Sequence, residues 1–245
     1  MRSVRYGLSL IAAAWAIPAV AQEPEIPEVR YPTLPAEAGR AEGFVPRGWA
    51  IERRVEGDLN ADGLADLALV LQARDPRNIL ANEGLGENPF DANPRIIAIA
   101  FARPGGAGYR LAVQNHSLVA PRTNPVQLDP FGEGESIFEI ARGNLRLSLH
   151  LFMTAGGWTM GNSTYTFRWQ DDGLRLIGFD SRMVQRNSGE IESLSVNYLT
   201  RRVRVATGHV SRDSERVRWR RLRPGPLLTV AQIGDGMEFD PEGRR

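Results

Sequence analysis

The segment GDLNADGLAD, residues 57–66, concentrates oxygen-bearing side chains in a short stretch between two apolar runs. The side chains able to ligate a metal are Asp58, Asn60, Asp62 and Asp66. Calcium is a hard cation that takes about 6 to 8 oxygen ligands, and a short loop can supply them only by curling round the ion. Carboxylates held in one loop repel by on the order of a kcal/mol per pair, and a bound cation removes that cost.

We therefore expect a calcium site in this loop, with Gly63 permitting the sharp turn. The expected ligands are the side chains of Asp58, Asn60 and Asp62, the backbone carbonyl of Leu64, and Asp66, directly or through water. Magnesium prefers stricter octahedral geometry and keeps more of its water, so calcium is the better fit. The alternative is a tight turn that binds nothing, because Asn, Asp and Gly are common turn residues for other reasons.

The spacing matches the first half of an EF-hand loop, but position 12 is Leu69 instead of Glu and the flanking segments are predicted strands. The loop resembles instead the D-x-[DN]-x-D-G-x-x-D calcium loop of FG-GAP and VCBS-type repeats, which are similar to the blades of integrin α-chain propellers. The resemblance covers about residues 49–72. It implies that the loop joins two strands of one sheet and that the same five residues are the ligands. The motif occurs once in the sequence, so a full propeller is not expected.

The rest of the chain is predicted to be β-rich, with turns spaced roughly 8 to 12 residues apart. Apolar and polar residues alternate from Trp49 to Val55, whereas the run 65–71 is apolar on both faces apart from Asp66, as in a central strand. Further strands are predicted at 94–102, 109–114, 137–141, 145–151, 164–169, 174–179, 193–206 and 217–222. A capping box from Thr229 to Gln232 predicts one helical turn. We expect an all-β fold of antiparallel sheets, arranged as a sandwich, a barrel or a partial propeller, with long loops.

The N-terminus has the pattern of a secretory signal peptide over residues 1–21. Arg2 and Arg5 precede a short apolar stretch, and Ala19-Val20-Ala21 forms a small-residue cleavage site. The stretch is shorter than the roughly 20 residues that a membrane-spanning helix needs, and no transmembrane segment is expected after cleavage. The sequence therefore predicts a periplasmic or secreted protein. Residues 22–48 are rich in proline and are predicted to be an extended leader, followed by a single β-rich domain over 49–245.

The composition excludes several classes of protein. The sequence has no cysteine, which removes disulfides, thiol catalysis and thiolate metal sites. The formal net charge is +1, so charge gives no reason to expect a nucleic acid partner. No nucleophile elbow or phosphate-binding loop occurs. An enzyme is therefore the less favoured reading, although Asp129, Glu133 and Glu135 in the long loop 120–136 are candidates for an acid–base pair.

Arginines near the C-terminus form a second candidate site. Arg202 and Arg204 alternate with valines, and Arg216, Arg218 and Arg220 repeat the pattern. If the two strands pair, five guanidinium groups would form a stripe that binds phosphates or carboxylates. The alternative is a solvated sheet face.

The sequence thus favours an exported calcium-binding β-protein that acts as a non-enzymatic binding or envelope-structure module. Its partner would be an unknown protein or an anionic envelope polymer. Two alternatives are a periplasmic hydrolase of an envelope polymer with a structural calcium, and an inhibitor or immunity-type module. The last of these would present a long loop with an apolar tip, at Phe90 in loop 75–93 or at Phe131 in loop 120–136.

Overall fold

The computed structural model describes residues 24–132 and 138–243. The predicted signal peptide, together with Glu133 and Glu135, lies outside the described residues. Within them the regular secondary structure is almost entirely antiparallel strand, which confirms the predicted all-β class. No described helix is both long and apolar enough to cross a membrane.

Five strands form the first sheet, in the spatial order β1-β7-β6-β3-β2. Their bounds are β1 Glu37–Ala38, β2 Trp49–Gly57, β3 Asp66–Ala73, β6 Arg95–Ala102 and β7 Tyr109–Asn115. A separate two-stranded ribbon lies in the first long loop and consists of β4 Ile79–Leu80 and β5 Phe90–Asp91. Three short 3₁₀ turns connect these elements, at Ala41–Phe44, Pro76–Asn78 and Pro104–Gly106.

Seven strands form the second sheet as a continuous meander, in the order β14-β13-β12-β11-β10-β9-β8. Their bounds are β8 Phe138–Ala141, β9 Asn144–Phe152, β10 Thr159–Gln170, β11 Gly173–Gln185, β12 Glu190–Asn197, β13 Arg202–His209 and β14 Arg212–Arg221. The helix α1, Val230–Ile233, follows the sheet and begins with the predicted capping box at Thr229. The single predicted strand 193–206 is in fact two strands, because the chain turns at 198–201 with Arg201 in the left-handed region.

The main core lies between the two sheets. It is formed by apolar side chains of β3 and β6 on one side and of β9, β10 and β11 on the other. Tyr165 and Phe167 of β10 are fully buried and dominate its volume. A second core covers the other face of the five-stranded sheet, where Leu67, Leu69 and Leu71 pack. Both faces of β3 are therefore buried, as the apolar run predicted.

The second core corrects the predicted extent of the leader. Leu34, Ala41 and Phe44 are buried against the outer face of the five-stranded sheet, and β1 pairs with β7. The prolines prevent a long strand or helix, but they permit short extended and 3₁₀ pieces that carry apolar side chains at the right places. The folded part therefore begins before Trp49, and residues 34–48 belong to it.

A buried guanidinium ties the second long loop to the first sheet. Arg95 of β6 is 3% exposed and donates to Glu52 of β2 at 2.6 and 2.8 Å and to Asp129 at 2.6 and 3.0 Å. Burial raises the pKa of Asp129, but the charge and hydrogen bonds of Arg95 outweigh burial, so the pKa lies below its usual value. The lowered pKa and the ion pair with Arg95 make Asp129 unsuited to the acid role in the expected acid–base pair.

Replacing Arg95 tests this anchor. We expect Arg95→Ala to lower the free energy of unfolding by about 3 to 5 kcal/mol, because it leaves two largely buried carboxylates facing each other. Arg146→Ala is the matched control, since Arg146 also meets a glutamate at 2.6 Å but both side chains are more than a third exposed. It should cost less than about 1 kcal/mol. Urea unfolding at neutral pH measures both changes, and equal costs would contradict the anchor.

The same interaction predicts a pH dependence. A carboxyl whose folded-state pKa is lowered adds stability above its unfolded pKa, about 4, and loses that contribution as the pH falls through the folded pKa. The difference between wild type and Arg95→Ala should therefore shrink as the pH is lowered below about 4. A difference that stays constant down to pH 3 would contradict a charged Asp129.

Candidate metal centre

The acidic loop joins neighbouring antiparallel strands, since β2 ends at Gly57 and β3 begins at Asp66. Two residues inside it adopt left-handed backbone conformations, Ala61 with φ 63° and Gly63 with φ 83°. These reversals curl the segment back on itself within eight residues, 58–65. Glycine suits the second position because a left-handed backbone costs it no steric energy.

Asp58 organises the turn by accepting hydrogen bonds from the backbone. One carboxylate oxygen accepts from the N–H of Ala61 at 2.7 Å and of Asp62 at 3.2 Å. The other accepts from the N–H of Gly63 at 2.9 Å. The carboxylate therefore sits at the concave side of the loop, where backbone donors converge. A carboxylate has about four acceptor sites, so these bonds leave further lone pairs.

Asn60 and Asp62 continue the pattern along the loop. The Asn60 side-chain oxygen accepts from the N–H of Asp62 at 3.0 Å, and an Asp62 oxygen accepts from the N–H of Leu64 at 2.8 Å. The Asn60 amide also donates to the second Asp62 oxygen at 2.9 Å. Asn60 and Asp62 thus each accept from the backbone N–H two residues ahead, and these bonds fix the positions of their side-chain oxygen atoms.

Asp66 differs from the others because it is fully buried. One of its oxygens accepts from the N–H of Leu59 at 2.8 Å, and the other accepts from the N–H of Ala102 at 2.9 Å, at the end of β6. Burial raises the pKa of Asp66; the hydrogen bonds from Leu59 and Ala102 oppose that shift, and the charge of Asp62 adds to it. Asp66 therefore connects the loop to the neighbouring strand, a role that the ligand motif did not indicate.

The second sheet packs against the base of the loop. A side chain at Gly57 would meet Ile140 of β8, with its first carbon 2.7 Å from an Ile140 methyl group. The turn between β8 and β9 passes nearby, where Gly143 faces the backbone oxygen of Asp58. The loop is thus seated between the two sheets instead of projecting alone into solvent.

The donor set suits a hard cation, because every candidate ligand of the loop presents oxygen and none presents nitrogen or sulfur. No group of three or more Asp, Glu, His or Cys side chains in the described residues is arranged as a metal site. The carboxylates of Asp58 and Asp62 turn instead to backbone N–H groups. If calcium binds here, the side chains of Asp58, Asn60 and Asp62 and the backbone carbonyl of Leu64 would hold it. Asp66 would stabilise the loop through its bonds to the N–H groups of Leu59 and Ala102.

The predicted arginine stripe is wrong in one respect. The two strands do pair, but Arg204 lies directly opposite Trp219, and Arg218 lies opposite Val205. Directly opposed residues of an antiparallel pair share a face. Arg202 and Arg204 therefore lie on the outer face of the sheet, whereas Arg216, Arg218 and Arg220 lie on the face that continues the core. The turn between the strands sets this register, and its length could not be inferred from the alternation within each strand.

The long loops also differ from expectation. Phe90 and Phe131 are fully buried, so neither forms the exposed apolar tip expected of an inhibitor. Arg122 instead holds the two loops together: it donates to Glu87 and to the backbone oxygens of Asp91 and Gln127. The exposed large apolar residues of the first loop are instead Ile79 and Leu85.

A cleft of about 240 Å³ lies beside the second loop and has no counterpart in the sequence-based prediction. Leu118, Arg122, Leu149, Asp235 and Glu238 are among its lining residues. Burial raises the pKa of Asp235, and the charge of Glu238 raises it further, although a hydrogen bond from the N–H of Met237 opposes both. Asp235 and Glu238 are close in sequence, but their spacing does not show that they line a cleft, because its other walls come from residues over a hundred positions earlier, such as Leu118.

Comparison of the sequence with models of protein families found no match, and neither curated proteins nor solved structures gave one.

The two roles within the loop can be separated by a pair of matched substitutions. Asp66→Asn should lower the free energy of unfolding by about 1 to 3 kcal/mol, because an amide nitrogen would face one of two buried N–H donors. Asp62→Asn changes an exposed side chain and should stay within about 0.5 kcal/mol. Both are measured by urea unfolding with a chelator present. Equal effects would show that Asp66 does not anchor the loop.

Proposed function

We propose that the protein is an exported calcium-binding β-protein that serves as a non-enzymatic binding module. The observation that supports this is the folded loop itself. Its alternate oxygen ligands are already positioned by backbone hydrogen bonds, and the loop joins two neighbouring strands of one sheet. That arrangement agrees with what the resemblance to an FG-GAP or VCBS-type repeat implies, in a single copy. The periplasmic or secreted location rests on the signal-peptide pattern alone.

The proposed role of the ion is structural. A ligand that binds only the folded state stabilises it by RT ln(1 + [L]/Kd). Extracellular calcium modules commonly have dissociation constants of about 10⁻⁴ to 10⁻³ M. At about 10 mM calcium the stabilisation is then about 1.4 to 2.7 kcal/mol. Without disulfides, this contribution would matter to a protein outside the cytosol.

A thermal melt tests the calcium site. We expect about 10 mM calcium to raise the melting temperature by about 3 to 10 °C over the chelated protein. Asp62→Ala should remove most of that rise, because it removes both the charge and the oxygen ligands of an exposed carboxylate. Asp213→Asn is the control: it removes the same charge from an exposed strand outside the loop and should leave the rise intact. Identical melting temperatures with calcium and chelator for the wild type would refute the site.

The hydrolase alternative is favoured by one observation, the cleft that holds Asp235 and Glu238. A carboxyl whose pKa is raised by burial, beside a second carboxyl, is the arrangement expected of an acid–base pair. The substrate would then be an envelope polymer that enters beside the second loop. A cleft of this volume takes only part of such a polymer, which makes the binding module the better-supported function.

Incubation with purified peptidoglycan, and separately with an anionic envelope polysaccharide, tests this alternative. A hydrolase should release soluble fragments, and the rate should fall as the pH rises past the pKa of Asp235, since the acid form is lost. Asp235→Asn should abolish release, whereas Asp213→Asn should not affect it. No release above a protein-free blank would remove the alternative.

A further inference from the structure

The last strand of the seven-stranded sheet, β14, is open along one edge. It pairs with β13, and no other described segment pairs with it. All ten of its residues, Arg212–Arg221, are exposed. Folded proteins usually shorten, bend or cover such an edge, because its unpaired backbone groups can template pairing with another chain.

The register shows which backbone groups are free. The N–H of Leu222 donates to the carbonyl of Arg201 at 3.0 Å, so these opposed residues form a hydrogen-bonded pair. Hydrogen-bonded and non-bonded pairs alternate along an antiparallel ladder. Residues 220, 218 and 216 therefore bond to β13. The N–H and C=O groups of Val217, Trp219 and Arg221 point away from it, at the open edge.

The two faces of β14 carry different chemistry. On one face lie Arg216 and Arg218, neither of which meets a carboxylate among the described residues, and Arg220, which meets Glu242 at 2.6 Å. On the other face Val217 is 40% and Trp219 57% exposed. Arg202 lies over the Trp219 ring at 4.5 Å and holds it in place. From Arg216 to Arg220 the edge thus alternates positive and apolar side chains, and Arg221 adds a positive charge on the face of Trp219.

We infer that β14 receives an extended acidic segment of a partner protein, which adds to the sheet as an eighth strand. The main-chain groups of Val217 and Trp219 would provide the ladder. Directly opposed side chains interact most strongly, so acidic residues of the segment would face Arg216 and Arg218 while apolar residues face Val217 and Trp219. The segment is therefore one that alternates acidic and apolar residues. The inference rests on the proposal that the protein is a binding module, and it is independent of calcium.

Two other occupants fit the edge less well. A second copy pairing antiparallel through Val217 or Trp219 would place Arg216 or Arg218 opposite an arginine of the copy, and opposed like charges destabilise a sheet. An anionic polysaccharide would satisfy the guanidinium groups, but it would leave the free backbone N–H and C=O groups and the apolar face without partners. A peptide strand provides partners for the guanidinium groups, for the free backbone groups and for the apolar side chains.

A capped synthetic peptide that alternates Glu and Val is the probe, and calorimetry measures its binding in calcium and in chelator. Binding should fall at least about tenfold for Arg216→Glu/Arg218→Glu. The charge-matched control is Arg30→Glu/Arg47→Glu, which changes two exposed arginines beside the first sheet and should bind normally. A peptide of the same composition with its glutamates grouped at one end should also bind at least about tenfold more weakly.

A backbone test separates strand addition from simple charge attraction. Val217→Pro removes an N–H that faces the open edge, where proline is tolerated, and keeps every arginine. It should abolish peptide binding while leaving the melting temperature and the weak binding of dextran sulfate unchanged. A peptide N-methylated on its ladder-forming residues gives the same test with the wild-type protein, in case the proline variant is unstable. Bound peptide should also slow hydrogen exchange at the amides of Val217 and Trp219.

Three results would overturn the inference. Peptide binding that survives both Val217→Pro and N-methylation would show that no ladder forms. Dextran sulfate binding more tightly than the peptide would assign the edge to polyanions. Sedimentation showing a dimer that Val217→Pro dissociates would assign it to a second copy. If the peptide fails to bind but calcium still raises the melting temperature, the inferred acidic partner is wrong and the calcium site stands. If the peptide binds but calcium has no effect on the melting temperature, only the calcium site is refuted.

Discussion

Successive side chains of a strand point to opposite faces of the sheet. This constraint determines which residues of each strand reach the core and which face solvent. It places Tyr165, Phe179 and Val196 of three successive strands on the face that meets the first sheet, where they form the core. The same alternation places Arg216, Arg218 and Arg220 of β14 on one face and Val217 and Trp219 on the other, together with Arg221. A shift of one residue in the pairing of β13 with β14 would move Arg216, Arg218 and Arg220 to the outer face, beside Arg202 and Arg204.

Polar anchors determine where the irregular segments lie on this framework. Asp66, Arg95 and Arg122 are all buried, and each satisfies partners from segments distant in sequence. Buried charges are costly unless they are paired and hydrogen-bonded, so each anchor favours one arrangement of the loop that it holds. The acidic loop, the 120–132 loop and the two-stranded ribbon are thus fixed by a few directional contacts, and not by apolar burial alone.

The strands with clear alternation and the central apolar strand could be predicted from the sequence, because local pattern alone encodes them. The capping box at Thr229 is equally local. The sequence could not show that residues 34–45 cover the first sheet, since a proline-rich composition conceals the few apolar residues that pack. Nor could it show that the arginines of β13 and β14 lie on different faces, that Asp66 bonds to the N–H of Ala102, or that Asp235 lines a cleft. Each of these depends on register or on contacts between distant segments.

The N-terminal segment has a consequence for the order in which the protein can be assembled. The N–H of Leu34 bonds to the side chain of Gln114, 80 positions further along the chain. A chain delivered from its N-terminus therefore presents Leu34 and Phe44 well before the surface that buries them exists. These apolar residues stay exposed to solvent, or bound to a chaperone, until β7 has emerged. Docking of residues 34–44 must therefore follow the emergence of β7, and delay there would leave the outer face of the five-stranded sheet uncovered.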